Sequence, residues 1–380
     1  MSNTISHIIV KIAELCNLNC SYCYLYQHED QRYLTRPKFI SDTVFEQLLT
    51  RLQEYRDRHG LARLHLIFHG GEPTLIGPKR LSELIGRARA RLGDTIVFQM
   101  QTNATLLDSA WIELIRREQL RVGVSLDGPA EIHDAVRVDH AGRGSYHNTV
   151  RGLALLQQAG FGHSVLCVIN PGMSGLASYR HFRSIGVKQM HFLLPDVSHD
   201  NKARFYGDHG PTPVADYLIP IFDAWLEEDD PSVKVNPFHE LMRILLGGRA
   251  TSDAFGNPLM SYLIVETDGT IHGLDVLRVC NEGIAETGLN LFEHGFDDLH
   301  LGLPLVHQLI NTGMPLCAVC QQCAERDICG GGYVPHRYAR ANGFDNPSVW
   351  CADIQLLLTH MRSRLGLRHE QQTIPLLQSR

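Results

Sequence analysis

Apolar residues in the first half of the chain alternate between two rhythms. Short β-rich runs occur at HIIVKIA (7–13), RLHLIF (63–68), TIVFQM (95–100), RVGVSL (121–126), HSVLCVI (163–169) and KQMHFLL (188–194). Between the first two, Val44, Phe45, Leu48, Leu49, Leu52 and Tyr55 recur at helical spacing, behind a Ser41 or Asp42 placed to cap the start. Similar helical patterns fill 80–92, 108–119, 147–159 and 176–185. Strand–helix alternation of this kind predicts an α/β fold whose parallel sheet is closed by right-handed crossovers. Six such units suit an incomplete (β/α)6 barrel and an open sheet equally.

The rhythm breaks after about Pro195, where SHDNKARFYGDHGPTP reads as a polar loop. Helices are expected near 213–228 and 237–247, and a hairpin at 261–273 turning on Asp268-Gly269. A last helix covers about 352–366. The chain of 380 residues is long enough for one large domain and a smaller one.

A formal charge of −6 argues against broad attraction to nucleic acid or an anionic membrane. No apolar run reaches the length of a membrane span, and the N-terminus lacks the pattern of a secretory signal. A cytoplasmic protein, with neither nucleic acid nor membrane as partner, is expected. Its ten cysteines therefore point to metal ligation in a reducing compartment, and nine of them fall into two groups. The outlier, Cys167, reads as a buried strand cysteine.

The first group, Cys16-Asn-Leu-Asn-Cys20-Ser-Tyr22-Cys23-Tyr24, directly follows the first apolar run. Three thiolates can wrap a cubane of four irons and leave one iron open for chemistry. A zinc knuckle needs a fourth ligand, and His28 is the only local candidate. This C-x3-C-x2-C motif resembles the radical S-adenosylmethionine (SAM) superfamily, and so do the segments that follow it. They are His69-Gly70-Gly71-Glu72-Pro73, Gln101-Thr102-Asn103, Ser125-Leu126-Asp127-Gly128-Pro129 and His133-Asp134-Ala-Val-Arg137. The resemblance implies a partial (β/α)6, TIM-like barrel, a SAM-binding [4Fe–4S] cluster on Cys16, Cys20 and Cys23, and SAM itself. It further implies that Tyr22, Gly70, Gly71, Glu72, Asn103, Ser125, Asp127 and Arg137 surround SAM, with Arg137 on its carboxylate. Two adjacent glycines would let the backbone approach the ligand closely.

The segment Cys320-x2-Cys323-x5-Cys329-Gly-Gly-Gly-Tyr333, with Cys351 beyond it, resembles a SPASM domain, the auxiliary iron–sulfur module of peptide-maturing members. A full domain of that kind has seven cysteines for two clusters. Here Tyr333 and Leu274 stand at two expected cysteine positions, so one auxiliary [4Fe–4S] cluster is expected, on Cys320, Cys323, Cys329 and Cys351. Cys280 and Cys317 have no assigned role. Asp275 aligns with the base of sulfatase-maturating relatives, and an apolar pocket is expected to raise its pKa. The domains expected are a barrel at 1–205, a helical linker at 206–258 and an auxiliary-cluster domain at 259–380.

VETDGTIHGLD, CGGGYVPHRY and NGFDNPSVWCAD resemble the FxsB-like maturases, which install cyclophane cross-links in ribosomal peptides. That likeness implies a precursor peptide as substrate, a reductant such as flavodoxin or ferredoxin, and a bond between an aromatic ring and a Cβ. Thioether formation and oxidation of Ser or Cys to formylglycine are the alternatives within the superfamily. A non-catalytic iron–sulfur sensor is the alternative outside it.

Overall fold

The computed structural model describes residues 4–367. The last part of the expected 259–380 domain, residues 368–380, lies outside them. Six strands appear where the apolar runs stand: β1 (His7–Ala13), β2 (Leu64–Gly70), β3 (Ile96–Thr102), β4 (Arg121–Ser125), β5 (His163–Val168) and β6 (Gln189–Leu193). Helix α1 (Asp42–His59) buries Val44, Phe45, Leu48, Leu49, Leu52 and Tyr55 on one face. Ser41 caps it by accepting from the Val44 amide, and Gly60, left-handed at φ 60°, ends it. Helices α2 (Pro78–Leu92) and α3 (Ser109–Glu118) make the next two crossovers, and helices at Tyr146–Gln158 and Gly175–Ser184 flank β5 along the chain.

The chain forms two compact units. One comprises Met1–Leu126, Ala130–Val165 and Leu259–Thr312; the other comprises Asp127–Pro129, Leu166–Pro258 and Gly313–Arg380. These boundaries differ from the expected 1–205, 206–258 and 259–380. The physical reason lies in the expected hairpin, whose strands are β8 (Tyr262–Val265) and β9 (Thr270–His272). β8 pairs in parallel with β1, Ile9 opposite Ile264 and Val10 opposite Val265. β1 is buried on both faces over its second half, Lys11 included, and has two edges to pair. One edge goes to β2 and the other to β8, so the order in this unit is β10-β9-β8-β1-β2-β3-β4, with β10 at Leu289–Asn290.

In the second unit β6 pairs in parallel with β7 (Lys234–Asn236). The helix Pro213–Glu228 begins under the Asp353 carboxylate, which accepts from the Val214 and Ala215 amides at 2.7 and 3.0 Å. Asp353 sits in the first turn of the last helix, Cys351–Leu365. Trp350, just before it, is fully buried and donates its indole N–H to the Pro195 carbonyl. Among the described residues no helix is long and apolar enough to cross a membrane.

Candidate active site and cluster segments

None of the ten cysteines, all among the described residues, forms a disulfide. Cys16, Cys20 and Cys23 lie on the loop that leaves β1, and that loop is held by backbone bonds on both sides. The Asn19 and Ser21 amides donate to the carbonyls of Val138 and Val136 at 2.7 and 2.9 Å, so the Arg137 stretch is strapped along it. The Gly71 and Glu72 amides donate to the carbonyls of Ala13 and Leu15, both at 2.8 Å, and dock the end of β2 on the same loop. The Arg137 guanidinium lies 5.3 Å from the centre of the Tyr22 ring.

The two glycines make a close approach within the protein itself. A Cβ on Gly70 would meet the Ala13 carbonyl oxygen at 2.1 Å, and one on Gly71 would meet the Tyr26 hydroxyl at 2.0 Å and the Leu15 carbonyl at 2.4 Å. Their bareness lets Gly70 lie against the end of β1 and Gly71 against the loop that follows it. Glu72 is likewise turned inward. Its carboxylate accepts from the Thr74 amide, the Thr102 hydroxyl and the Asn103 amide, tying the end of β2 to the end of β3. Burial pushes its pKa up against those hydrogen bonds.

Asn103, so held, reaches back to the cysteine loop: its Nδ2 donates to Asn17 Oδ1 at 2.9 Å and lies 3.9 Å from Cys16 Sγ. Ser125 accepts from Gln101 Nε2 at 2.9 Å. Asp127 falls in the other unit, where its Oδ1 accepts from the Val168 amide at 3.0 Å. The first unit therefore gathers Cys16, Cys20, Cys23, Tyr22, Gly70, Gly71, Glu72, Asn103 and Arg137 around one loop.

Asp275 is neither a surface hairpin residue nor an acid of raised pKa. It is 5% exposed, accepts from the Tyr24 hydroxyl at 2.9 Å and pairs with Lys11 Nζ at 2.7 Å. Burial pushes its pKa up, but the cations of Lys11 and Arg278 outweigh burial and hold the carboxyl below its ordinary value. The expectation missed Lys11, which is fully buried in the middle of β1 and also pairs with Glu266 at 3.1 Å. Arg278 pairs with Glu266 at 2.7 Å. A lysine inside HIIVKIA is the one break in that strand's apolar run, and it was the available signal.

Cys317, Cys320, Cys323, Cys329 and Cys351 all lie in the second unit, and Cys323 Sγ accepts from the Glu325 amide at 3.4 Å and from Gln355 Nε2, on the helix that begins at Cys351, at 3.8 Å. Cys167 is buried in β5, as expected. Gly330, Gly331 and Gly332 are all left-handed, and a Cβ on Gly330 would meet the Asn257 amide nitrogen at 2.3 Å. They are turn formers, placed so that the chain after Cys329 can fold back.

The donor sets suit iron–sulfur cofactors. Burial pushes the Cys16 thiol far up, the Cys23 thiol to about 11, and the Cys320 and Cys329 thiols to about 12. Such sulfurs are neutral until a metal displaces their protons. Among the described residues no three His, Cys, Asp or Glu side chains converge on a single-ion site.

Residues 10–175 match the radical SAM superfamily profile. The chain is 31% identical to a serine-type anaerobic sulfatase-maturating enzyme of Bacteroides thetaiotaomicron, over 93% of this chain and 89% of that protein. It is 27% identical to a cysteine-type anaerobic sulfatase-maturating enzyme of Clostridium perfringens, over 86% and 88%. The solved structure of native anSMEcpe with bound AdoMet superposes with a TM-score of 0.82 at 22% identity, covering 95% of this chain and 98% of that one. Streptococcus suis SuiB bound to precursor peptide SuiA superposes at 0.63 with 14% identity, over 92% and 76%. At these identities the two structures establish the fold.

Proposed function

This chain belongs to the radical SAM superfamily, in the family of the anaerobic sulfatase-maturating enzymes, and from that premise we propose that it oxidises a residue of a ribosomally made peptide by two electrons. The enzyme class and the peptide substrate follow the relatives; the residue roles and the product are our reading. Cys16, Cys20 and Cys23 hold the SAM-binding cluster, and Cys320, Cys323, Cys329 and Cys351 hold the auxiliary one. When bound, SAM and these clusters supply the 5′-deoxyadenosyl radical that removes a hydrogen atom, and a one-electron acceptor.

The observation that carries this reading is the buried Lys11–Asp275–Tyr24 chain in the same unit as the cysteine loop. Oxidation at a C–H bond must shed a hydrogen atom, a proton and an electron. Asp275, kept ionised by Lys11, takes the proton, and Tyr24 fixes the orientation of its carboxylate. Glu72 positions Asn103 beside Cys16, and Arg137, stacked on Tyr22, meets the SAM carboxylate.

For the product we favour a cyclophane, because Leu274 and Tyr333 replace two cluster cysteines and NGFDNPSVWCAD resembles the cross-linking branch. In that reaction the proton comes from the attacked ring. Oxidation of Ser or Cys to formylglycine is the second reading, favoured by the names of the relatives.

Co-expression with the short peptide encoded beside the gene, followed by tandem mass spectrometry, tests both, with Cys16/Cys20/Cys23→Ala as control. The cyclophane reading expects loss of one hydrogen pair per cross-link and suppressed fragmentation between an aromatic residue and a nearby Cβ. A mass change confined to one Ser or Cys overturns it in favour of the second reading.

A further inference from the structure

Behind the C-terminal thiols lies a cation that the protein itself leaves incompletely satisfied. Arg337 is 1% exposed, and its guanidinium bridges the two segments that carry those thiols. Nη2 donates to the Pro315 carbonyl, two residues before Cys317, and to the Phe344 carbonyl at 3.2 Å. Nη1 lies 3.4 Å from the Cβ position of Gly331, two residues after Cys329. Nε and Nη1 are buried without an acceptor. Among the described residues no carboxylate forms an ion pair with this guanidinium; the sulfurs of Cys320, Cys317 and Cys329 act on it ahead of the Asp345 carboxylate. Three other buried arginines contrast with it, since Arg36 pairs with Asp268 and Glu286, Arg278 with Glu266 and Arg362 with Glu325.

A buried guanidinium cannot discard its proton, and N–H donors buried without an acceptor are costly. An anion beside it removes both difficulties. A cubane held by four thiolates is a net dianion when oxidised and a trianion when reduced, with sulfurs able to accept N–H bonds. We propose that Arg337 is the built-in counter-cation of the auxiliary cluster, donating Nε–H and Nη1–H toward its sulfurs and favouring its reduced state. The inference rests on the auxiliary-cluster reading above. Its functional meaning is direct: a fixed positive charge raises the reduction potential, so the cluster accepts the electron that the oxidised peptide releases.

The test uses the full chain carrying Cys16/Cys20/Cys23→Ala, so that the only iron signal is the auxiliary one, reconstituted with iron and sulfide. Midpoint potential by EPR-monitored titration and iron content are compared for Arg337, Arg337→Lys and Arg337→Gln. Arg337→Gln is expected to shift the oxidised-to-reduced ratio at fixed potential at least tenfold toward oxidised, about 59 mV for one electron. Arg337→Lys keeps the charge and is expected to recover most of the shift. Reduced iron loading in Arg337→Gln, restored by Arg337→Lys with unchanged far-UV CD, also supports the role. Unchanged potential and loading in Arg337→Gln overturn it, as does a lysine variant displaced as far as the glutamine one. A parent protein that binds no iron has a different signature and removes the auxiliary cluster itself.

Discussion

Lys11 pairs with Glu266 and Asp275 at 3.1 and 2.7 Å, and replacing it takes the ion-pair partner from buried Asp275 and leaves Glu266 to Arg278. Lys11→Met is expected to lose about 3–5 kcal/mol in anaerobic urea unfolding. The pH dependence has a definite sign. Because the folded pKa of Asp275 is depressed, its ion pair contributes fully above the unfolded carboxyl value, about 4. The contribution is lost as pH falls through the lower folded value, so the acid limb of a stability profile flattens in Lys11→Met. Asp275→Asn keeps much of the shape but cannot accept a proton. Peptide product is expected to fall about 10²–10⁴-fold while 5′-deoxyadenosine is still formed, measured side by side by liquid chromatography.

At the scale of elements, the buried face of α1 was legible in the spacing of its six apolar positions, while the choice of Ser41 over Asp42 as cap and the stop at Gly60 came from the structure. The hairpin was legible as a hairpin, since Gly269 takes φ 86° at the expected turn. Its destination was not, because the pairing of Ile264 with Ile9 spans the chain and leaves no local mark. The cysteine loop was read from its spacing, whereas the inward turn of Glu72 and the crowding at Gly70 and Gly71 depend on what the fold brings against them. Gly71→Ala tests that reading. Its methyl would press on the Leu15 carbonyl and the Tyr26 hydroxyl. The variant is expected to lose iron at the SAM-binding cluster and keep it at the auxiliary one, by iron assay and EPR with and without SAM.

On the scale of the whole molecule, the N-terminal half is not self-sufficient. A chain ending at residue 258 lacks β8 as a neighbour for β1, together with Glu266, Asp275 and Arg278, the groups that neutralise Lys11 and one another. It exposes an apolar edge and strands a buried cation. Such a chain is expected to be insoluble, while one ending at residue 367 remains soluble, as sedimentation after expression will show. The sheet order was the part of the architecture least visible in the sequence, because strand alternation fixes which segments are strands but not which late segment returns to the first.

β1 is flanked by β2 and β8, and five of its seven residues are buried. On the clock of amide hydrogen exchange its N–H groups should be among the last to trade with deuterated water, opening only when the whole unit opens. The loop bearing Cys16 leaves that slow strand after two residues. A protein stripped of its metal by air is therefore expected to keep the strand that anchors the site and to accept iron and sulfide again without refolding.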